Sequence, residues 1–460
     1  MTTLDKLQEI ITIDTLRNDG VPSASVAILQ DGKITARVVT NHRDDTDTVY
    51  QACSISKAIT AVAVAKMVDV GHFTYDTLVA QHLPESTLAH LAGPGSANWI
   101  EQVTVRMLVS HTSGLSQGGF HGYVHHPPTA ECIVSGKAPS NTPRIRFDTF
   151  PGAQFNYSGG GFTVLQIFLE TIMEKDFATL MISMETCHVM KQNYAIAYKT
   201  ADVVANAPYH KFAELAAGGL WTTPSDLLKA ISAVQQSLPC TSGFLKQDTA
   251  KEMLTSISQP GSDGARRMAL GWGSDDNVFA HRGMNFPGYH CYAFGSHGGV
   301  VNSDGSNPVK VPAGNGIAVM TNGELGWDVA TKIVSAIYHL KGWQRFRSLP
   351  SMYGEDDYIP AMALSSISLD SDWKDWCGDW EGMWALLNAE GPAISFKGSE
   401  PVPLRLAAAP VSLLSNGMAE HMFVAEHVRV AVRLTWDEED RVLEIIQANS
   451  KTEHRNQQKK

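Results

Sequence analysis

Ser54 and Lys57 stand three residues apart in "CSISKAITAVAVAKM", at the head of an alanine- and valine-rich run. At the start of a helix, positions i and i+3 share a face, so the serine oxygen and the lysine amine are able to meet. A free serine hydroxyl is a poor nucleophile, and a desolvated lysine of lowered pKa removes its proton. The helix N-terminus adds partial positive charge and N–H groups suited to an oxyanion. The same spacing also describes an N-capping serine followed by a lysine that snorkels to water. The pair alone does not separate these readings.

Two distant stretches carry further chemistry. Tyr157 sits in "FNYSGGG", at a turn before a helix, where a phenol could relay a proton to a leaving group; as a lone feature it also reads as a core or rim tyrosine. In "SHGG", Ser296 to Gly299, small residues would let a ligand approach a strand edge, with His297 as a polar handle; the same letters suit a sheet bend.

The elements that must position these groups are legible in outline. Leucines and isoleucines at helical spacing predict a helix over 5–18. "VPSASVAILQDGKITARVV" reads as a hairpin turning at Asp31-Gly32. A helix runs from Ser54 to Val70 and stops at Gly71, and another from Phe162 to Met173. Thr223, Pro224 and Asp226 spell an N-cap, a first-turn proline and a cap-plus-three acid. Residues 117–150 form a long irregular insertion suited to a binding rim. Strands are expected in "RMALGWGS", "CYAFGSHGGVV" and "GNGIAVMTNG", joining the N-terminal hairpin in one sheet of an α+β body. Beyond a polar, proline-marked linker over 346–365, strand patterns over 366–450 predict a small, mainly β domain, and 451–460 a frayed tail.

In this order the motifs resemble the serine β-lactamase and penicillin-binding-protein superfamily, in the class C β-lactamase-related branch that includes esterases, D-aminopeptidases and acyltransferases. "SISK" matches the nucleophile motif, and "MLVSHTSGLS" at 107–116 the signature segment, with His111 supporting from behind. "PGAQFNYSGGGFTVL" matches the tyrosine motif, "AAGGLWTTPSDL" the loop and helix that follow, and "GSHGG" the third motif. The resemblance covers about residues 5–340. It implies an antiparallel sheet flanked by helices, a helical subdomain, and a cleft between them. It implies catalysis by Ser54, Lys57 and Tyr157, with an oxyanion hole from the Ser54 N–H and a strand N–H near Gly299 or Val300. His297, Gly298, Gly299 and Val300 would line the cleft with Ser296 behind them, and Tyr123 and Trp272 would shape the acyl pocket. The C-terminal domain resembles the lipocalin-like appendages of some relatives.

Two positions depart from the pattern. Lactamases and peptidases of this kind carry an asparagine two residues after the tyrosine, where this chain has Gly159; Asn156 lies on the wrong side of Tyr157 to replace it. His297 stands where lactamases carry lysine. Both shifts favour an esterase or acyl-transferring enzyme acting on a small ester, thioester or amide over a β-lactamase or D-aminopeptidase. A noncatalytic ligand-binding protein on the same fold is the alternative from another class. No cofactor or metal is required by such a cycle.

Composition narrows the rest. The chain has 460 residues, 47 acidic against 36 basic, and a formal net charge of −11, which argues against a nucleic-acid surface. The N-terminus shows no basic stretch followed by an apolar one, and no run is long enough to span a bilayer, so a cytoplasmic protein is expected. Six cysteines without CxxC spacing fit free thiols. His121, His125 and His126, with Glu131 nearby, invite a metal reading, but their spacing fits surface-loop histidines better. Trp376, Trp380 and Trp384 are expected to pack the β domain. Self-association is left open.

Overall fold

The computed structural model describes residues 3–343 apart from 41–43, 94–95, 149–150, 153–154, 184–192, 240–242, 258–267, 275–276, 302–308 and 342, and beyond these eight strands between 378 and 455. The chain divides into two compact units, Met1–Met352 and Tyr353–Lys460. The expected linker over 346–365 and Trp376 lie outside the described residues.

The first unit opens with helices α1 (Thr3–Ile10) and α2 (Ile13–Asn18). The single helix expected over 5–18 is broken here because Thr12 turns to an extended conformation and caps α2, its hydroxyl accepting from Thr15 N–H at 3.1 Å. Strands β1 (Ser23–Gln30) and β2 (Lys33–Thr40) form the predicted hairpin, with Asp31 and Gly32 both at positive φ. Strand β3 (Tyr50–Gln51) leads into α3 (Ile55–Val70), which stops at left-handed Gly71. Helices α4 (Glu85–Leu91), α5 (Val105–Val109), α6 (Ala130–Ser135), α7 (Gly159–Met173) and α8 (Phe177–Ser183) make a helical region, α6 interrupting the irregular insertion.

Short strands β4 (Tyr198–Thr200) and β5 (Val203–Val204) precede a one-turn helix α9 (Leu215–Gly218) and β6 (Trp221–Thr222), which pairs with β3. Helix α10 (Pro224–Ser237) starts as predicted, Thr223 Oγ1 accepting from Asp226 N–H at 3.1 Å. After α11 (Gln247–Leu254) come β7 (Gly273–Ser274), β8 (Val278–Asn285), β9 (Tyr289–Val301), β10 (Val309–Thr321) and α12 (Gly326–Lys341).

These strands build one antiparallel sheet in the order β2-β1-β10-β9-β8-β7, so the N-terminal hairpin does join the late strands, through β1 and β10. Alternation along β1 divides the core. Val26 and Ile28 meet α1 and α12 on one face, and Ala27 and Leu29 belong to the larger cluster with α3, α7 and α10 on the other. Helix α3 is buried at thirteen of its sixteen positions, which is why its sequence is apolar all round. No helix among the described residues is long and apolar enough to cross a membrane.

The second unit is an antiparallel meander: β11 (Gly378–Trp380), β12 (Trp384–Asn388), β13 (Pro392–Phe396), β14 (Val402–Leu406), β15 (Ala419–Ala425), β16 (Val430–Trp436), β17 (Arg441–Gln447) and β18 (Ser450–Arg455), paired in chain order. Trp380 of β11 and Trp384 of β12 are cross-strand partners. The tail expected from 451 contains β18, whose alternate partners run along β17.

Candidate active site

Helix α3 carries the first two groups. Cys53 adopts a left-handed conformation, φ 51°, which turns the chain sharply into the helix and puts Ser54 at its N-cap. The Ser54 side chain makes no capping bond, so its hydroxyl stays available, half-buried. The turn is locked from behind: Ser56 Oγ donates to Cys53 O at 2.6 Å and accepts from Leu220 N–H at 3.0 Å. Lys57, one turn on, is 2% exposed and does not snorkel. Its Nζ lies 3.3 Å from Ser54 Oγ and donates to Ala217 O in α9 at 2.8 Å. Burial pushes the Lys57 ammonium down to about 7, against the smaller upward pull of Cys53 and Glu214. A buried amine that is partly neutral near pH 7, beside an uncapped serine, can accept the hydroxyl proton.

Tyr157 arrives from the turn before α7 and is buried, and the Lys57 Nζ sits 5.1 Å from its ring centroid. Behind it the His111 ring stacks at 4.3 Å between centroids, and His111 Nδ1 accepts from Ser158 N–H at 3.0 Å. That bond fixes the His111 proton on Nε2. Burial, and then repulsion from Lys57, hold the imidazole neutral. His111 therefore lies neutral against the Tyr157 ring.

Gly159 has a steric reason. A Cβ there would lie 2.7 Å from the Phe120 ring and 3.2 Å from Gln117 O, the carbonyl that accepts from the Gly159 and Gly160 N–H groups at 2.8 and 3.0 Å. The insertion, through Gln117 and Phe120, fills the space beside Gly159. Asn156 is occupied elsewhere, donating to Leu115 O at 3.1 Å.

The third element lies on a different strand from the one expected. A Cβ on Gly283 of β8 would stand 2.4 Å from Ser54 N, so β8 is the strand against the nucleophile. The Ser54 N–H has no acceptor among the described residues. Gly283 pairs with Cys291, and His297 lies six residues farther along β9, roughly 20 Å at ~3.3 Å per residue. "HRG" (His281 to Gly283), not "SHGG", thus borders Ser54. His281 alternates onto the same face as Gly283 and is fully buried, Nδ1 bonded to Arg282 O at 2.8 Å; burial, then Lys57, pushes it down to about 3.

Several expected contacts are corrected accordingly. Ser296 is structural, accepting from Asn315 N–H at 3.2 Å and offering its carbonyl to Gln235 Nε2 at 2.8 Å. The His297 N–H donates to Asn277 O at 2.9 Å, left-handed Gly298 abuts Ala313, and Gly299 and Val300 pair with Val311 and Lys310 in β10. Trp272 is fully buried against Phe279, with ring centroids 5.1 Å apart, as core and not pocket. Tyr123 pairs with Lys211 and accepts from Asn141 N–H at 2.9 Å. His125 and His126 are exposed, and His121 stacks on Phe286 at 5.7 Å.

Sequence reasoning missed His281, Gly283, Phe120 and Glu214. The signal for the first two was a His-x-Gly triplet just before the turn "FPG", inside a segment without β-branched residues beyond Val278. For Phe120 it was the absent asparagine itself, which leaves a place to be filled.

A family model for beta-lactamase matches residues 9–337. The chain belongs to the beta-lactamase family. Serine-based hydrolysis and acyl transfer are the general chemistry of that family. Among curated relatives, Protein flp of Staphylococcus aureus (strain MW2) is 23% identical over 312 residues, covering 61% of this chain and 59% of that protein. The chain therefore spans about three-fifths of that relative's length. Penicillin-binding protein 4 of Amycolatopsis lactamdurans is 36% identical over 112 residues, 22% of this chain and 27% of that one. Among solved structures, SurE matches with TM-score 0.58 at 16% identity over 99% of both chains. The octameric penicillin-binding protein homologue from Pyrococcus abyssi gives 0.56 at 16%, covering 99% of this chain and 100% of that one. A class C beta-lactamase gives 0.52 at 17%, over 72% and 96%. At these identities the structures speak for the fold alone.

Proposed function

We propose that this family member is an esterase or acyl-transferring enzyme in which Ser54 forms a covalent acyl-enzyme. The observation that carries the reading is Lys57: a buried amine 3.3 Å from an uncapped serine hydroxyl, held by Ala217 O. Neutral Lys57 takes the Ser54 proton as Oγ bonds to the acyl carbon. The oxyanion faces the Ser54 N–H, with Gly283 keeping the approach open. Tyr157 protonates the leaving group, then activates water or an acceptor alcohol or amine.

Two features favour a neutral ester or thioester over a β-lactam. Phe120 occupies the position beside Tyr157 where an amide-holding side chain would stand. His281, beside the nucleophile, is neutral and supplies no cation for a substrate carboxylate. The test is intact-protein mass spectrometry after exposure to a fluorophosphonate, a short-chain nitrophenyl ester, a β-lactam, a D-amino-acid amide, and a thioester with added amine. One fluorophosphonate adduct is expected, absent in Ser54→Ala, with turnover of the ester or thioester. Labelling that survives Ser54→Ala defeats the nucleophile assignment, and turnover of the β-lactam alone defeats the substrate class.

A further inference from the structure

Helix α9 is a single turn, and the carbonyls at a helix end have no partners within the helix itself. Leu215 O accepts from Gly219 N–H at 3.0 Å. The next three carbonyls are each taken by a side chain from another element. Thr60 of α3 donates to Ala216 O at 3.1 Å, Lys57 of α3 to Ala217 O at 2.8 Å, and Asn285 of β8 to Gly218 O at 3.0 Å. Gln166 of α7 holds the start of the turn, donating to Ala213 O and accepting from Ala216 N–H, each at 3.2 Å. The carbonyl that receives Lys57 thus stands between two others, one fixed from α3 and one from β8.

Asn285 is buried, and its side-chain amide directs N–H groups at two acceptors, Gly218 O and, at 2.9 Å, Gln51 Oε1. Gln51, at the end of β3 and also buried, donates in turn from Nε2 to His210 O at 2.7 Å. The outer partners of this pair, Gly218 O and His210 O, are backbone carbonyls that only accept. Turning either amide over would set oxygen against oxygen, so the backbone fixes the direction of both. Asn285 also lies two residues beyond Gly283 on the same face of β8, and Gly283 stands against Ser54 N. One side chain therefore ties the strand beside the nucleophile to the turn that holds the base. Through Gln51 it also reaches β3, from which the chain runs on through Cys53 to Ser54.

We infer that Asn285 is a positioning residue for Lys57, holding Gly218 O so that the neighbouring Ala217 carbonyl stays on the amine; this rests on the acyl-transfer reading above. A neutral lysine amine carries two N–H groups and one lone pair. With one N–H given to Ala217 O, rotation about the last C–N bond brings the lone pair onto Ser54 Oγ, 3.3 Å away. There it takes the serine proton as the Oγ–carbon bond forms, and Asn285 itself makes and breaks no covalent bond. Without a donor at position 285, Gly218 O is left buried and unpaired, which drives the turn to move toward another partner. The amine then follows its acceptor or loses it, and in either case its lone pair leaves the serine.

The test is the rate of fluorophosphonate labelling at saturating probe, measured with the intact chain. Asn285→Leu keeps the branched outline of the amide and removes the donor. Its rate constant should fall about tenfold, with the half-saturating probe concentration unchanged. In a Lys57→Met background the same substitution should alter the residual rate by less than about twofold, because the effect passes through the lysine. A tenfold fall in both backgrounds makes Asn285 merely structural and overturns the inference, as does an unchanged rate in Asn285→Leu. In the unsubstituted protein, the side-chain amide protons of Asn285 should give two separate, slowly exchanging NMR signals. A merged or rapidly exchanging pair means that Gly218 O is not held, and it overturns the inference whether or not the variants fold. Failure to label the parent, or labelling that survives Ser54→Ala, instead strikes the acyl-transfer reading.

Discussion

The two ends of α3 bury charged groups in opposite ways. At the C-terminal end, Asp69 is 8% exposed and fully engaged: it accepts from Lys246 N–H at 2.6 Å and from the Thr249 hydroxyl, and its carbonyl takes the Lys246 ammonium. At the N-terminal end, Lys57 has one strong acceptor and one long contact, and Glu214 has no hydrogen-bond partner for either carboxyl oxygen among the described residues. The same helix and the same degree of burial thus give a satisfied cluster that fastens α11 to α3 and an unsatisfied one beside a serine. Unsatisfied buried charge costs stability and leaves protonation states that are easily exchanged. That difference separates structural from chemical polar groups more sharply than residue type does.

The comparison breaks most readily through Lys57. Lys57→Met and Ser54→Ala should each lower the rate of acylation by at least ~10³-fold, followed by adduct formation. Lys57→Met should also raise stability by about 2 kcal/mol at pH 6, because it removes a buried ammonium. The sign follows from a folded-state pKa of about 7 against an ordinary value of 10.5. Between those values the unfolded chain binds the extra proton, so the parent gains stability as pH rises. The advantage of Lys57→Met should therefore shrink from pH 7 to pH 10, read from denaturant melts. A variant less stable than the parent at pH 6 would erase the contrast between the two ends.

Gly283→Ala should come next, with kcat/KM reduced ~10²-fold, because its methyl would stand 2.4 Å from Ser54 N. Asp69→Ala, at the satisfied end, should do the reverse. It should cost about 3 kcal/mol while the folded fraction acylates within a few-fold of the parent. In the parent, acylation should climb with pH through about 7 as Lys57 loses its proton, and level off above. The smallest effect is expected from Phe120→Ala with Gly159→Asn, which restores room and an amide beside Tyr157. The ratio of amide to ester turnover should rise on the order of tenfold, and Gly159→Asn alone should only destabilise.

What could be read in the sequence was what local chemistry dictates. The Asp31-Gly32 turn, the Gly71 stop, the Thr223 cap and the Ser54–Lys57 spacing each depend on neighbours within four residues, and all stand as expected. Strand β8 was not legible. "VFAHRGMN" lacks the β-branched run that marks a strand, because its small and polar residues answer to α3 lying across it. Without β8, "SHGG" is the His-Gly pair that falls on a recognisable strand, and only the packing of Gly283 on Ser54 shows which of the two borders the nucleophile. Glu214 was invisible for a related reason. One acid before "LAAGG" reads as an ordinary helix start until the fold closes over it.

Lys57 reaches across 160 positions of the chain to Ala217, and Gly283 closes on Ser54 from farther still. During synthesis the serine is therefore made long before it can be reactive, and the nascent protein carries no acylatable centre until β8 has cleared the ribosome. A ribosome-bound chain halted near residue 250 should ignore a fluorophosphonate, and one released after α12 should take it up.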